Sequence, residues 1–179
     1  MTITRRALAG RGLAGAAALA LGGPAVSPAG AATPGPADLD LAEQLMRAEL
    51  AAMVVWDAAA KSSEFGAAGA RILRDVRIEE QRHAEEIGKV LSAAGRTPPQ
   101  RPPVEQVPGL TAVRDGRDLI ELALAAEQRL SAAYVRALGP VTDPGLRFLL
   151  AQLLAGEAAH LLFARAALDR ALVPRTFAL

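Results

Sequence analysis

Each of the two histidines in this 179-residue chain stands three positions after a glutamate, in Glu80-Gln81-Arg82-His83 and Glu157-Ala158-Ala159-His160. On a helix, residues three apart share a face, so each segment presents one carboxylate and one imidazole to the same point. Each segment also has a glutamate upstream: Glu49 precedes Glu80 by 31 positions, and Glu127 precedes Glu157 by 30. The two Glu-x-x-His segments are 77 residues apart, and Trp56 and Tyr134 each follow their upstream glutamate by seven. This is the register of a helical hairpin duplicated within one chain. Packed about a pseudo-two-fold axis, two such hairpins bring their half-sites together at the centre of a four-helix bundle.

The neighbours of these four glutamates say which way they face. At helical spacing Glu49 shares its face with Leu45, Ala52 and Trp56, and Glu80 with Leu73, Val76 and Ile87. Glu127 lies among Ala123, Leu124, Leu130 and Tyr134, and Glu157 among Leu150, Leu153, Leu161 and Ala164. Each sits in the middle of an apolar stripe. A lone ionised carboxylate buried in this way costs several kcal/mol unless something pairs with it. Two divalent cations would neutralise all four. One glutamate from each of two helices and Glu-x-x-His from each of two others is the ligand set of a carboxylate-bridged di-metal site in a bundle. Other acids form a second population: Glu79, Glu85 and Glu86 fall beside Asp75, Arg82 and Lys89 and read as a solvated face. Glu43, Glu64, Glu105 and Glu121 fall near helix ends, in loops or by charged neighbours. Trp56 and Tyr134 read either as core packing or as redox relays to the ligands.

The rest of the chain agrees with an all-α fold. Hydrophobic residues make up 51% but aromatics only 3%, so the core must be built from Ala, Leu and Val, the first two being strong helix formers. A capping box at Asp40 and Glu43 predicts a first helix over 41–60, after a Pro- and Gly-rich linker over 32–39. A loop over 61–66 leads to a second helix from about Ala67 to Ala94, stopped at Gly95. Residues 96–116 hold five prolines, which predicts a long crossover running outside the bundle. A third helix over 117–138 ends at Gly139-Pro140; Asp143 and Pro144 start a fourth, expected to reach Leu172 before Pro174. The domain spans 40–179 as two helical hairpins joined by the crossover. With no cysteine, disulfides and thiolate chemistry are excluded.

Residues 1–31 read as a cleaved export signal: a basic start (Arg5, Arg6, Arg11), an apolar run from Leu13 to Leu21, and Ala29-Gly30-Ala31 as the cleavage site. The run is too short to span a bilayer, so no membrane span is expected after cleavage. Thr4-Arg5-Arg6-Ala7-Leu8 resembles a twin-arginine signal, the route of proteins exported already folded. Without the three leader arginines the chain carries 17 basic against 19 acidic residues, which leaves no basic stripe for nucleic acid.

Together the ligand pattern, the Glu-x6-Tyr spacing from Glu127 to Tyr134 and the ending Val173-Pro174-x-x-Phe177 resemble the ferritin-like superfamily. Within it, the chain is similar to small exported bacterial proteins related to desiccation-associated proteins. The resemblance covers Asp38 to Phe177. It implies a ferritin-like four-helix bundle with two iron ions per chain, or manganese, bridged by Glu80 and Glu157. Glu49 and His83 would complete one metal position and Glu127 and His160 the other. It further implies an extracytoplasmic protein that reacts Fe(II) with oxygen or peroxide, a ferroxidase-like oxidoreductase. The alternatives are a metal-binding protein without turnover and a structural envelope or stress protein. A homodimer is the expected assembly.

Overall fold

The structure, a computed structural model, describes residues 33–170. The expected export signal and the ending at Val173, Pro174 and Phe177 lie outside the described residues. Four helices account for most of the chain described: α1 (Pro36–Lys61), α2 (Gly66–Ala93), α3 (Gly116–Leu138) and α4 (Pro144–Ala167).

Helix α1 starts at Pro36, five residues before the box at Asp40 predicts. Pro36 occupies the first helical turn, where its fixed φ is already helical and its missing N–H is no loss. Asp40 pairs instead with Arg96 of the crossover, at 2.9 Å. Helix α2 stops where Gly95 predicts it: Gly95 adopts φ 75°, and Gly95 N–H and Arg96 N–H bond back to Ser92 O (3.0 Å) and Leu91 O (2.9 Å). Asp115 and Asp143 cap α3 and α4 through the N–H groups of Asp118 (2.8 Å) and Leu146 (2.7 Å). Helix α4 ends at Ala167, five residues short of the expected Leu172. Asp169 takes the left-handed conformation (φ 54°) that glycine takes after α2, and Asp169 and Arg170 close the same pair of backbone bonds. An aspartate tolerates that region better than most side chains, a weaker stop signal than the proline downstream.

Hydrogen bonds join Glu49 of α1 to Tyr134 of α3 and Trp56 of α1 to Glu127 of α3, so these helices run antiparallel. Since α1 is also antiparallel to α2, helices α2 and α3 are parallel. Their connection must therefore return along the length of the bundle, which is the reason for the proline-rich crossover. It is fastened to α1 by Arg96–Asp40 and by Arg101–Asp57 (2.8 Å), and it buries Val107 and Leu110 in the core.

Two apolar clusters fill the interior. One gathers Trp56, Phe65, Leu73, Ile120, Leu124 and Phe163; the other gathers Leu45, Ile87, Leu91, Leu130, Tyr134 and Leu150. On α2, α3 and α4 the expected glutamate falls between the residues of one cluster and those of the other. A polar layer thus crosses the middle of an otherwise hydrophobic bundle.

Two acids outside this layer tie the hairpins at opposite ends. Glu64, between α1 and α2, accepts the Gly116 N–H at the start of α3 (2.8 Å). A Cβ at Gly116 would lie 2.9 Å from Phe65 Cζ, so a larger residue there would push the Phe65 ring aside. At the other end Asp38, buried in the first turn of α1, accepts from Thr142 N–H (3.0 Å), Thr142 Oγ1 (2.9 Å) and Asp143 N–H (2.8 Å). Burial opposes its charge, but these donors and Arg147 hold its carboxyl below the ordinary range. Asp38→Ala strands those donors and should lower the unfolding free energy by about 2–3 kcal/mol, with Asp38→Asn recovering part of it. Urea denaturation measures this; a loss under about 0.5 kcal/mol would show that water replaces the tie.

Candidate metal centre

The polar layer is the convergence of the six residues singled out above. Glu49, Glu80, Glu127 and Glu157 are each 0% exposed and His160 is 2% exposed, while the His83 side chain keeps 13% of its surface open. Helical spacing places the carboxylates there: each of the four glutamates has a buried residue one turn before and one turn after it, so the carboxylate is carried inward with them.

Their ligand atoms form two overlapping groups. Glu49, Glu80, His83 and Glu157 make one, and Glu80, Glu127, Glu157 and His160 make the other; within each, one atom per residue lies within 4.8 Å of every other. Glu80 and Glu157 belong to both. His83 Nδ1 stands 2.6 Å from Glu157 Oε1 and 3.7 Å from Glu49 Oε2. His160 Nδ1 stands 2.6 Å from Glu80 Oε1 and 3.7 Å from Glu157 Oε2. Both imidazoles aim the same nitrogen inward, and the two rings stack with centroids 5.7 Å apart.

The donor set passes a direct test of fit for divalent ions. Seven buried side-chain atoms among the described residues make no contact of hydrogen-bonding geometry, and six of them belong to this layer: Glu49 Oε2, both Glu80 oxygens, Glu127 Oε2, Glu157 Oε2 and His160 Nδ1, the last close to Glu80 Oε1 but not aligned with it. Buried polar atoms are otherwise almost always satisfied, and those that are not call for a specific explanation. Here they point at one another, an arrangement that two cations would satisfy and that a hydrophobic core would not tolerate. Carboxylate oxygens with two imidazole nitrogens suit iron or manganese.

Residues 29–170 match the sequence model of the ferritin-like domain. The chain belongs to the ferritin-like domain family. No curated protein and no solved structure matches it.

In this ferritin-like domain the outer carboxylates are held across the duplication. Trp56 Nε1 donates to Glu127 Oε1 (2.5 Å), and Tyr134 Oη donates to Glu49 Oε1. Each aromatic residue, seven positions after one half's glutamate, thus holds the other half's glutamate. Both rings are core residues, each 0% exposed, and each also hydrogen-bonds one of the four buried glutamates.

Three further residues matter here. Glu79, grouped above with the solvated acids, has a half-exposed side chain, yet its Oε2 accepts from His160 Nε2 at 2.9 Å. Its position directly before Glu80 was the available signal; only the packing of α4 beside α2 shows that it reaches across. Gly156 lies so close to His83 that a Cβ would stand 2.8 Å from Cε1. The third is Asp38, whose partners lie more than a hundred positions away in sequence. No local pattern marks either Gly156 or Asp38.

Crowding sets the protonation of the layer. Burial, then the charges of Glu127, Glu157 and Glu49, push the Glu80 carboxyl well above its ordinary range. Burial, then the closeness of the Glu157 carboxylate, does the same for Glu127. Burial also opposes charge on Glu157, but the nearby His160, the hydrogen-bonded His83 and Glu127 outweigh it and hold that carboxyl down to about 2. Burial disfavours a charged His83, yet Glu157 and Glu49 raise its pKa to about 9, and His160 is raised as well. Without metal the layer therefore holds protons that metal must displace.

The sign follows. A histidine whose folded pKa is raised contributes stability that is complete below its ordinary value near 6.5 and lost as pH rises through about 9. Raised carboxyls act in the same direction at pH above their unfolded values. Metal-stripped protein should thus lose thermal stability between pH 6.5 and 9, whereas metal affinity should rise over the same interval with proton release. Scanning calorimetry across this range, and titration calorimetry in two buffers of different ionisation enthalpy, check both. A stability that rises with pH in the stripped protein would contradict the protonation scheme.

Proposed function

We propose that this ferritin-like domain protein is exported, holds two iron ions per chain, and oxidises Fe(II) at the expense of oxygen or peroxide. The observation that carries the reading is the pair of buried ligand groups sharing Glu80 and Glu157, with their inward-facing atoms left unsatisfied by the protein. Glu80 and Glu157 would bridge; Glu49 with His83, and Glu127 with His160, would complete the two positions. Two iron ions side by side supply two one-electron couples, enough to reduce oxygen to peroxide or peroxide to water.

The chain's own part is to neutralise, orient and exclude. Four carboxylates balance the charge of two divalent ions. Trp56 and Tyr134 fix the outer carboxylates, and in the proposed mechanism the same two rings would serve as a path for single electrons to or from the metal ions. The apolar clusters above and below keep bulk water from the layer.

Elemental analysis of the mature protein from its native route is expected to give about two irons per chain, lost together in a Glu80→Ala/His160→Ala double variant. Two manganese ions would redirect the assignment to peroxide disproportionation. Stoichiometric metal without consumption of oxygen or peroxide would instead identify a sequestering protein, and absence of stoichiometric metal would sink both readings.

Export rests on the basic start and the apolar run of the first 31 residues, and the match to the family begins at residue 29, beside the expected cleavage site. Replacing Arg5 and Arg6 together by lysine should leave the precursor in the cytoplasm, as seen by fractionation. Continued export of that variant would point to the general secretory route.

A further inference from the structure

The duplication that builds the centre is broken at one pair of positions. Glu79 and Gly156 stand directly before the two Glu-x-x-His segments and are 77 residues apart, the same offset that relates Glu80 to Glu157 and His83 to His160. In one half the carboxylate of Glu79 receives the Nε2–H of His160 at 2.9 Å. That bond fixes the tautomer and the ring, and leaves Nδ1 as the nitrogen that faces the other ligands. In the other half Gly156 has no side chain to offer. His83 Nε2 lies 2.9 Å from where a Cβ of Gly156 would be, and no hydrogen bond to that nitrogen is found among the described residues. The His83 side chain is also the more open of the two, 13% exposed against 2%.

A carboxylate behind a ligating imidazole makes it a better donor and holds it in place, and removing such a partner typically lowers metal affinity 10- to 100-fold. Here one half has the partner and the other lacks it, while the inner contacts of the two halves are alike. From this difference, and resting on the di-metal reading above, we infer that the two metal positions are unequal. The Glu127/His160 position, backed by Glu79, is the tight, retained one. The Glu49/His83 position, with its more open imidazole, is the weak, exchangeable one. Glu79 acts through His160 and is a positioning residue. Gly156 leaves room for the His83 ring.

The test is anaerobic titration of the metal-stripped, folded protein with Co(II), followed by its visible absorption and by calorimetry, with circular dichroism as the fold control. Wild type should bind in two resolved steps whose affinities differ by about 10- to 100-fold. Glu79→Ala, a change at a half-exposed side chain, should weaken the first step by that factor and merge it with the second, with Glu79→Gln falling between. His83→Ala should keep the tight step and lose the weak one, and His160→Ala the reverse. Gly156→Ala, which pushes a methyl group into the His83 ring, should also lose the weak step alone. Two equal steps in wild type, or a Glu79→Ala titration unchanged from wild type, would overturn the inequality and leave the di-metal reading standing. No Co(II) binding in any variant would overturn both.

Discussion

Repulsion among buried carboxylates is the constraint that organises this molecule. Two like charges 4 Å apart repel by about 4 kcal/mol at the effective dielectric of a protein near its surface, and burial adds the loss of hydration. Four glutamates share one layer here, each fully enclosed. The protein's own answer is partial: two imidazoles, an indole and a phenol reach them, yet five of the eight carboxylate oxygens remain without a hydrogen bond. An arrangement so costly in the absence of cations is one that divalent cations would relieve. The remainder of the fold can be understood as what keeps the layer from relaxing apart.

Three features do that. Apolar clusters on both sides grip all four helices, so a carboxylate cannot swing outward without dragging core residues into water. Trp56 and Tyr134 cross between the hairpins, each holding the glutamate of the opposite half. Asp38 and Glu64 lock the hairpins at the two ends through backbone N–H groups, which cannot drift as side chains can. Ligands held this firmly need little rearrangement on binding, the general advantage of a preorganised site.

Duplication explains why so few sequence signals are needed, and its imperfections show where the two halves have taken different tasks. The inner ligands repeat, as do the cross-hairpin hydrogen bonds. What differs lies one residue away from the repeated glutamates, behind the imidazoles, where Glu79 supports one ring and Gly156 makes room for the other. Such a difference leaves the ligand pattern untouched while changing the environment of each half.

What the sequence by itself determined is everything carried by local periodicity. A carboxylate in the middle of an apolar helical stripe must go inward wherever the helix packs, so the six inward-facing residues and the four helices were legible before any tertiary contact was known. Helix ends were legible where a residue acts locally, as Gly95 and Asp143 do, and misjudged where a stronger-looking signal stood nearby, as Asp40 did beside Pro36 and Pro174 beyond Asp169. Tertiary structure alone decided the pairings across the bundle: Asp38 with the turn before α4, Glu64 with the start of α3, Trp56 and Tyr134 with opposite halves, Glu79 with His160, and the bare backbone of Gly156 against His83. These depend on how helices distant in the chain come to lie side by side. Periodicity says which face of a helix turns inward, but not which residue it will meet there.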